Sequence, residues 1–258
     1  MTRQKLGQHF LSNLEWRKRI LAALPKHACG VWVEIGAGHG EMTELLAGDA
    51  RRVIAIETDA QLAGPLRERA REWPGVEVVQ GDVLSLDIAK IAGGRFRVYG
   101  NLPYYITSPI LHRLFACADA IDSIHVVIQW EVAARIVAPP GRRARGYLSA
   151  ACQFYARPEI VLRIPPGAFR PPPRVNSALL RMPLPGERAS LGITDEAGLL
   201  AFVQTCFAQK RKTLRNNLRA VVPDARIHEA LSACRLRADA RAEQLTLEQF
   251  AALFKLVS

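Results

Sequence analysis

The sequence predicts an α/β fold, a mostly parallel sheet covered by helices, followed by a small all-helical part. Three observations carry this. Short β-rich apolar runs alternate with helix-like stretches between residues 31 and 129. A glycine-rich turn joins the first of those runs to a helix. From about residue 184 the strand pattern stops, and 196–258 shows helical periodicity alone. Continuous apolar strands alternating with helices mark a parallel sheet buried on both faces.

Each element has its own signal. Ser12 opens SNLE, with Glu15 three residues on and Ile20, Leu21 and Leu24 behind it, and reads as a capping box. The strand runs are VWVEI (31–35), RVIAIE (52–57), VEVVQ (76–80), FRVYG (96–100) and IHVVIQ (124–129). Residues 41–48 and 60–72 read as helices between them. The run IPPGAFRPPPR (164–174) is proline-rich, which favours extended backbone over helix. LPGERASLGITD reads as a linker. The expected organisation is therefore one domain over 1–186 and a helical domain over 187–258.

Composition narrows the function. Thirty-five Lys and Arg against 24 Asp and Glu give a net charge of +11 in 258 residues. A chain this basic suits a polyanionic partner, most often nucleic acid. The excess is uneven: residues 31–100 carry net −3, whereas 1–30, 101–200 and 201–258 carry +5, +4 and +5. No apolar run has membrane-spanning length, and MTRQKLGQHFLSN lacks the apolar stretch of a secretory signal. The five cysteines are widely spaced with no CxxC pair, so reduced thiols and a cytoplasmic location are expected. The six histidines have no metal-ligand spacing, so no metal site is expected, and His112 and His125 read as structural.

The first chemical motif is VEIGAGHGEMTELL (33–46). Gly36, Gly38 and Gly40 permit a tight turn and close approach of a ligand to the backbone. Glu57 ends the second strand run, where a carboxylate can accept hydrogen bonds from ribose hydroxyls. Up to this point NAD and S-adenosylmethionine fit equally well. Asp82, in QGDVL, can accept from an adenine amino group. NLPYYITSP (101–109) is the sharpest signal. Asn101 can present its side-chain oxygen, and Leu102 its carbonyl, to one amino group. Pro103 fixes the local backbone, and Tyr104 offers a ring face to a base. An NAD-dependent oxidoreductase has no use for this motif.

GQHFLSN, VEIGAGHG, VIAIETD, GD, YGNLPYYITSP, FRPPPRVNSALLRM and KRKTLRNNL occur in this order along essentially the whole chain. Together they resemble the ribosomal RNA adenine N6-dimethyltransferase family, and within it the bacterial small-subunit enzymes. The resemblance implies a class I, Rossmann-like methyltransferase fold with a seven-stranded sheet and a helical C-terminal domain. It implies dimethylation of two adjacent adenosines near the 3′ end of small-subunit ribosomal RNA. S-adenosylmethionine is the implied methyl donor, S-adenosylhomocysteine the product, and no metal is involved. It places His9, Leu11, Gly36, Gly38, Glu57, Asp82 and Asn101 at the cofactor. Asn101, Leu102, Pro103 and Tyr104 are placed at the target amine, with Phe169 sandwiching the adenine opposite Tyr104. His9 and Tyr105 stand where asparagine is common in the family.

For RNA, the expected surface is FAQKRKTLRNNLRA (207–220) read as one helix. Val203, Phe207, Leu214 and Leu218 would form its apolar side. Arg211, Arg215 and Arg219, with Lys212, would form a basic stripe. Arg142, Arg143 and Arg145 form a second basic cluster in PPGRRARG. The expected partner is the small ribosomal subunit, met by a monomer without membrane association. Two rival readings stand beside this one: a large-subunit adenine methyltransferase of the macrolide-resistance type, and a non-catalytic ribosome-assembly relative.

Overall fold

The computed structural model describes residues 9–26 and 30–257. The strands are β1 (Phe10–Leu11), β2 (Val31–Ile35), β3 (Arg52–Glu57), β4 (Val76–Gln80), β5 (Phe96–Asn101), β6 (Ile121–Gln129), β7 (Glu159–Ile164), β8 (Phe169–Arg170) and β9 (Ser177–Pro183). Helices α1 (Leu14–Ala23), α2 (Glu41–Ala47), α3 (Ala60–Ala70), α4 (Ile88–Ala92), α5 (Thr107–Phe115) and α6 (Trp130–Ile136) alternate with the early strands. Then follow α7 (Tyr147–Tyr155), α8 (Arg188–Leu191), α9 (Glu196–Cys206), α10 (Leu214–Leu218), α11 (Asp224–Ala233) and α12 (Leu247–Val257). Among the described residues no helix is long and apolar enough to cross a membrane.

Seven strands form one sheet in the order β4-β3-β2-β5-β6-β9-β7. The first five are parallel, and β9 runs antiparallel to both β6 and β7. The class I methyltransferase fold expected from the resemblance is present. The β7–β9 pair was not foreseen from the apolar runs. Val33, Ile54, Val98, Ile124 and Val126 are fully buried along the central strands. Burying such a side chain stabilises by about 1.5–3 kcal/mol, so this sheet is the rigid base on which the loops at its strand ends are held.

Two local expectations need correction. Helix α1 is capped by Asn13, whose side chain accepts from the Trp16 amide at 3.1 Å, not by Ser12. Asn13 stands three residues before that orphan amide, within reach of its short carbonyl. The helix expected over 207–220 is broken. α9 ends at Cys206, residues 207–213 turn, and Thr213 caps α10 by accepting from the Asn216 amide at 3.3 Å.

The chain divides into two compact units. One takes the chain up to Ala133 together with Pro158–Leu184; the other takes Ala134–Arg157 and the chain from Pro185 onward. The expected boundary after residue 186 lies near the last crossing, but 134–157 groups with the C-terminal helices. The reason is apolar packing: α7 packs against α9, with Ala150, Ala151, Cys152 and Phe154 buried.

Candidate active site

In the sheet unit, β2 lies between β3 and β5, where the strand order reverses. Loops leaving adjacent strands in opposite directions open a crevice beyond their carboxyl ends. A cavity of 240 Å³ occupies that place, bordered by Gly36, Gly38, Glu57, Asp82, Asn101 and Tyr104.

One wall is a backbone cradle. The Gly36 and Ala37 amides both donate to the Ile56 carbonyl, at 2.9 and 3.2 Å, and pin the turn to the end of β3. Gly36 and Gly38 have φ of +72° and +59°, which L side chains rarely adopt. A Cβ at Gly38 would also press on the Phe10 ring at 3.2 Å. Glu57 is 4% exposed and borders the cavity. Its two carboxylate oxygens accept from the Gly38 amide at 2.8 Å and the Asp59 amide at 2.9 Å. Each oxygen retains a lone pair, so the carboxylate is fixed and still an acceptor. Asp82 follows β4, and its Oδ1 accepts from the Leu84 amide at 3.0 Å.

The rest of the lining begins at Asn101, the last residue of β5. Asn101 Nδ2 donates to the His9 carbonyl at 2.7 Å. A carbonyl only accepts, so the amide group is oriented and Oδ1 is left as the acceptor. The Leu102 amide donates to the Val127 carbonyl at 3.1 Å. The Pro103 carbonyl accepts from the Ile106 amide and the Thr107 hydroxyl, both at 3.2 Å. That closes the turn carrying Tyr104 and Tyr105. The Tyr104 hydroxyl lies 3.0 Å from Ser177 Oγ on β9, and its ring lies 5.5 Å from the His9 ring at 34°. Burial pushes the Tyr104 phenol above its ordinary pKa, with the Ser177 bond opposing. His9 Nδ1 donates to the Pro171 carbonyl at 2.7 Å.

The structure brings His9, Gly36, Gly38, Glu57, Asp82 and Asn101–Tyr104 to one cavity. It does not bring Leu11 or Phe169. The two pair across the β1–β8 ladder and sit in the hydrophobic core, Phe169 only 2% exposed. Side chains alternate across a strand, so burying Leu11 turns its neighbour Phe10 to the cavity instead. Ser177 and Phe10 were missed from sequence; neither carried a spacing signal.

Glu34, inside the glycine motif, was also missed. Thr43 Oγ1 donates to its Oε2 at 2.6 Å, tying β2 to α2 across the turn. Burial pushes the Glu34 carboxyl up to about 8, and the Thr43 bond opposes this. His125 is fully buried, 2.9 Å from Ser123 Oγ, and burial lowers it to about 3, which suits the structural role expected of it.

The profile of the family described as "Ribosomal RNA adenine dimethylase" matches residues 1–258. The chain belongs to the ribosomal RNA adenine dimethylase family. A relative from Acidobacterium capsulatum, "Ribosomal RNA small subunit methyltransferase A", is 46% identical over 97% of this chain and 89% of its own length. Among solved structures, a dimethyladenosine transferase from Plasmodium falciparum shares the fold, with TM-score 0.81 at 23% identity, covering 95% of this chain and 96% of that one. The 23S rRNA methyltransferase ErmE has TM-score 0.72 at 27% identity, covering 96% and 99%.

In this dimethylase the expected basic surface is rearranged. The apolar side holds: Val203, Leu214 and Leu218 are buried, and the Phe207 ring packs 5.8 Å from that of Phe250, tilted at 44°. The stripe does not hold, because Arg211 and Lys212 lie in the turn and only Arg215 lies within α10. Arg215 and Arg219 both grip Asp224 and hold its carboxyl well below the usual range. Arg145 is 1% exposed and donates to the Ala138 carbonyl at 3.0 Å and to Gln153 Oε1. It is a structural cation. Arg142 and Arg143 remain exposed.

The Tyr104–Ser177 contact sets one prediction. Tyr104→Phe is expected to reduce turnover by no more than about tenfold, since the ring remains and one neutral hydrogen bond is worth ~0.5–1.5 kcal/mol. Tyr104→Ala is expected to be far worse. Ser177→Ala should match Tyr104→Phe, and the double variant should be no worse than either. Single-turnover rates decide this. Phe as damaging as Ala would give the hydroxyl a chemical role and end the stacking account.

Proposed function

We propose that this chain transfers methyl groups from S-adenosylmethionine to N6 of two adjacent adenosines near the 3′ end of small-subunit ribosomal RNA. Each nitrogen receives two. The observation that carries the reading is Asn101, held by the His9 carbonyl at the cavity that the Glu57 carboxylate also borders.

The residues present fit the cofactor. The positive-φ turn at Gly36 and Gly38 admits a ligand against backbone, and the fixed Glu57 carboxylate offers acceptors to two ribose hydroxyls. Asp82, which borders the same cavity, is the acceptor for the adenine amino group in this reading. When bound, S-adenosylmethionine supplies an electrophilic methyl on a sulfonium. The chain's task is then the nucleophile, because the lone pair of an adenine amine is delocalised into the ring. Asn101 Oδ1 and the Leu102 carbonyl hold the amine hydrogens and turn the lone pair toward the cavity. This is positioning with preorganised dipoles. The amine proton becomes acidic as its nitrogen is alkylated, so an amide acceptor suffices and no general base is required. Tyr104 recovers by stacking ~1–3 kcal/mol of the cost of extruding the base.

The test is methyl transfer from labelled cofactor to small ribosomal subunits lacking the modification, followed by mapping of the labelled base. Two adjacent dimethyladenosines near the 3′ end are expected. Label appearing only in large-subunit RNA would favour the rival methyltransferase, and no label in any ribosomal RNA would favour the assembly relative.

Arg211 and Lys212, exposed in the turn before α10, are the better RNA contacts in this reading. Arg142 and Arg143 are a second candidate cluster, whereas Arg215 and Arg219 already share the Asp224 carboxylate. Charge reversal at Arg211 and Lys212 is expected to weaken particle binding with unchanged cofactor affinity. The log–log salt slope should fall by about 0.7–0.9 per lost phosphate contact. An unchanged slope would remove this turn from the RNA surface.

A further inference from the structure

Tyr105 is the most exposed large hydrophobic side chain among the described residues, at 71%. Single exposed hydrophobics are ordinary on protein surfaces. This one is set apart by its place. It borders the same cavity as Asn101 and Tyr104, at the next position in the chain. It is also held on a rigid mount. Leu102 on one side and Thr107 on the other are buried, and the Pro103 carbonyl accepts from both the Ile106 amide and the Thr107 hydroxyl. A solvent-facing ring on a fixed turn at the mouth of a cavity contributes nothing to the core, but it is preorganised to meet a ligand.

We propose that Tyr105 is a second stacking site, taking the face of the nucleobase that adjoins the target adenosine. The inference rests on the function proposed above and extends it from the reacting base to its neighbour. When one base is extruded, its neighbour loses a stacking partner and exposes a ring face to water. An aromatic side chain beside the mouth covers that face and lowers the cost of extrusion. Stacking is also indifferent to methylation at N6. A hydrogen-bonding reader of the amine would lose its donors once the first of two adjacent adenosines had been modified; a ring face would not. Tyr105 therefore contributes to substrate binding without discriminating between modified and unmodified neighbours.

The experiment uses the full chain and small subunits reconstituted with two ribosomal RNAs. One carries the normal pair of adenosines; the other has an abasic residue in place of one of them. With the intact pair, Tyr105→Ala is expected to raise KM about tenfold, within a range of roughly fivefold to a hundredfold for one lost base stack. Cofactor affinity should stay the same. Tyr105→Phe and Tyr105→Trp should restore most of the loss. With the abasic substrate, wild type and Tyr105→Ala should have equal KM, because the base that Tyr105 holds is gone. Equal losses on both substrates, Phe as damaging as Ala, or no loss on the intact pair would each overturn the inference. If the wild type transfers no methyl to the intact pair, the proposed function itself fails.

Discussion

Asn101→Ala is expected to lower turnover by about a hundredfold to a thousandfold, the usual effect of deleting one preorganised polar group that acts on the transition state, ~2.7–4 kcal/mol. Folding and particle binding should be little changed. Asn101→Asp separates the two ends of the side chain. It keeps an acceptor but loses the donor that the His9 carbonyl holds at 2.7 Å, and it sets a carboxylate against that carbonyl. It should therefore fail nearly as badly as alanine. Single-turnover methyl transfer, with thermal melts as the check on folding, is the measurement. Near-normal dimethylation by Asn101→Ala would move the amine acceptor elsewhere and take the assignment of the NLPY motif with it.

Glu57→Ala is expected to weaken S-adenosylmethionine binding tenfold to a hundredfold, since a hydrogen bond to a charged acceptor is worth ~1.5–3 kcal/mol. The upper end is favoured. The same carboxylate accepts from the Gly38 and Asp59 amides, so its removal also loosens the cradle. Glu57→Gln has only one acceptor oxygen and must turn its NH2 toward one of those two amides, so it should fall in between. Titration calorimetry reads both variants. An affinity within about twofold of wild type for Glu57→Ala would remove this residue from the ribose, because it is smaller than the loss of any charged hydrogen bond. Tight NAD binding without S-adenosylmethionine binding would overturn the cofactor assignment altogether.

What could be read from the sequence follows from burial. Four of the five parallel strands, β3, β2, β5 and β6, are interior to the sheet, so their apolar runs are conspicuous; β4 lies at an edge and was legible only from its β-branched VEVV run. β7 at the sheet edge mixes exposed and half-buried residues, and β9 follows a proline-rich stretch, so neither showed as a run. Most of the cavity could be read because glycines, a terminal carboxylate and Asn-x-Pro-Tyr announce themselves at strand ends. Phe169 was expected against the adenine and lies in the core, since a two-residue ladder decides which way it faces and no pattern encodes that. Arg145 was misread because arginine is seldom fully buried. The break before α10 did carry a signal: Thr213 is a good N-cap residue, but the periodicity of the leucines ran through it.

Residues 134–157 have a consequence for how the gene can change. The helical unit is spelled in two separate passages of the chain, with a strand-bearing passage of the other unit between them. A stop codon after Leu184 would not trim off a self-contained tail; it would strand α7, whose partner helix α9 lies beyond the cut. Exchanging the helical unit with that of a relative therefore needs crossovers on both sides of 134–157 as well as one near Leu184. Single-crossover chimaeras should yield misassembled, aggregation-prone chains, so sheet and helices are bound to be inherited together.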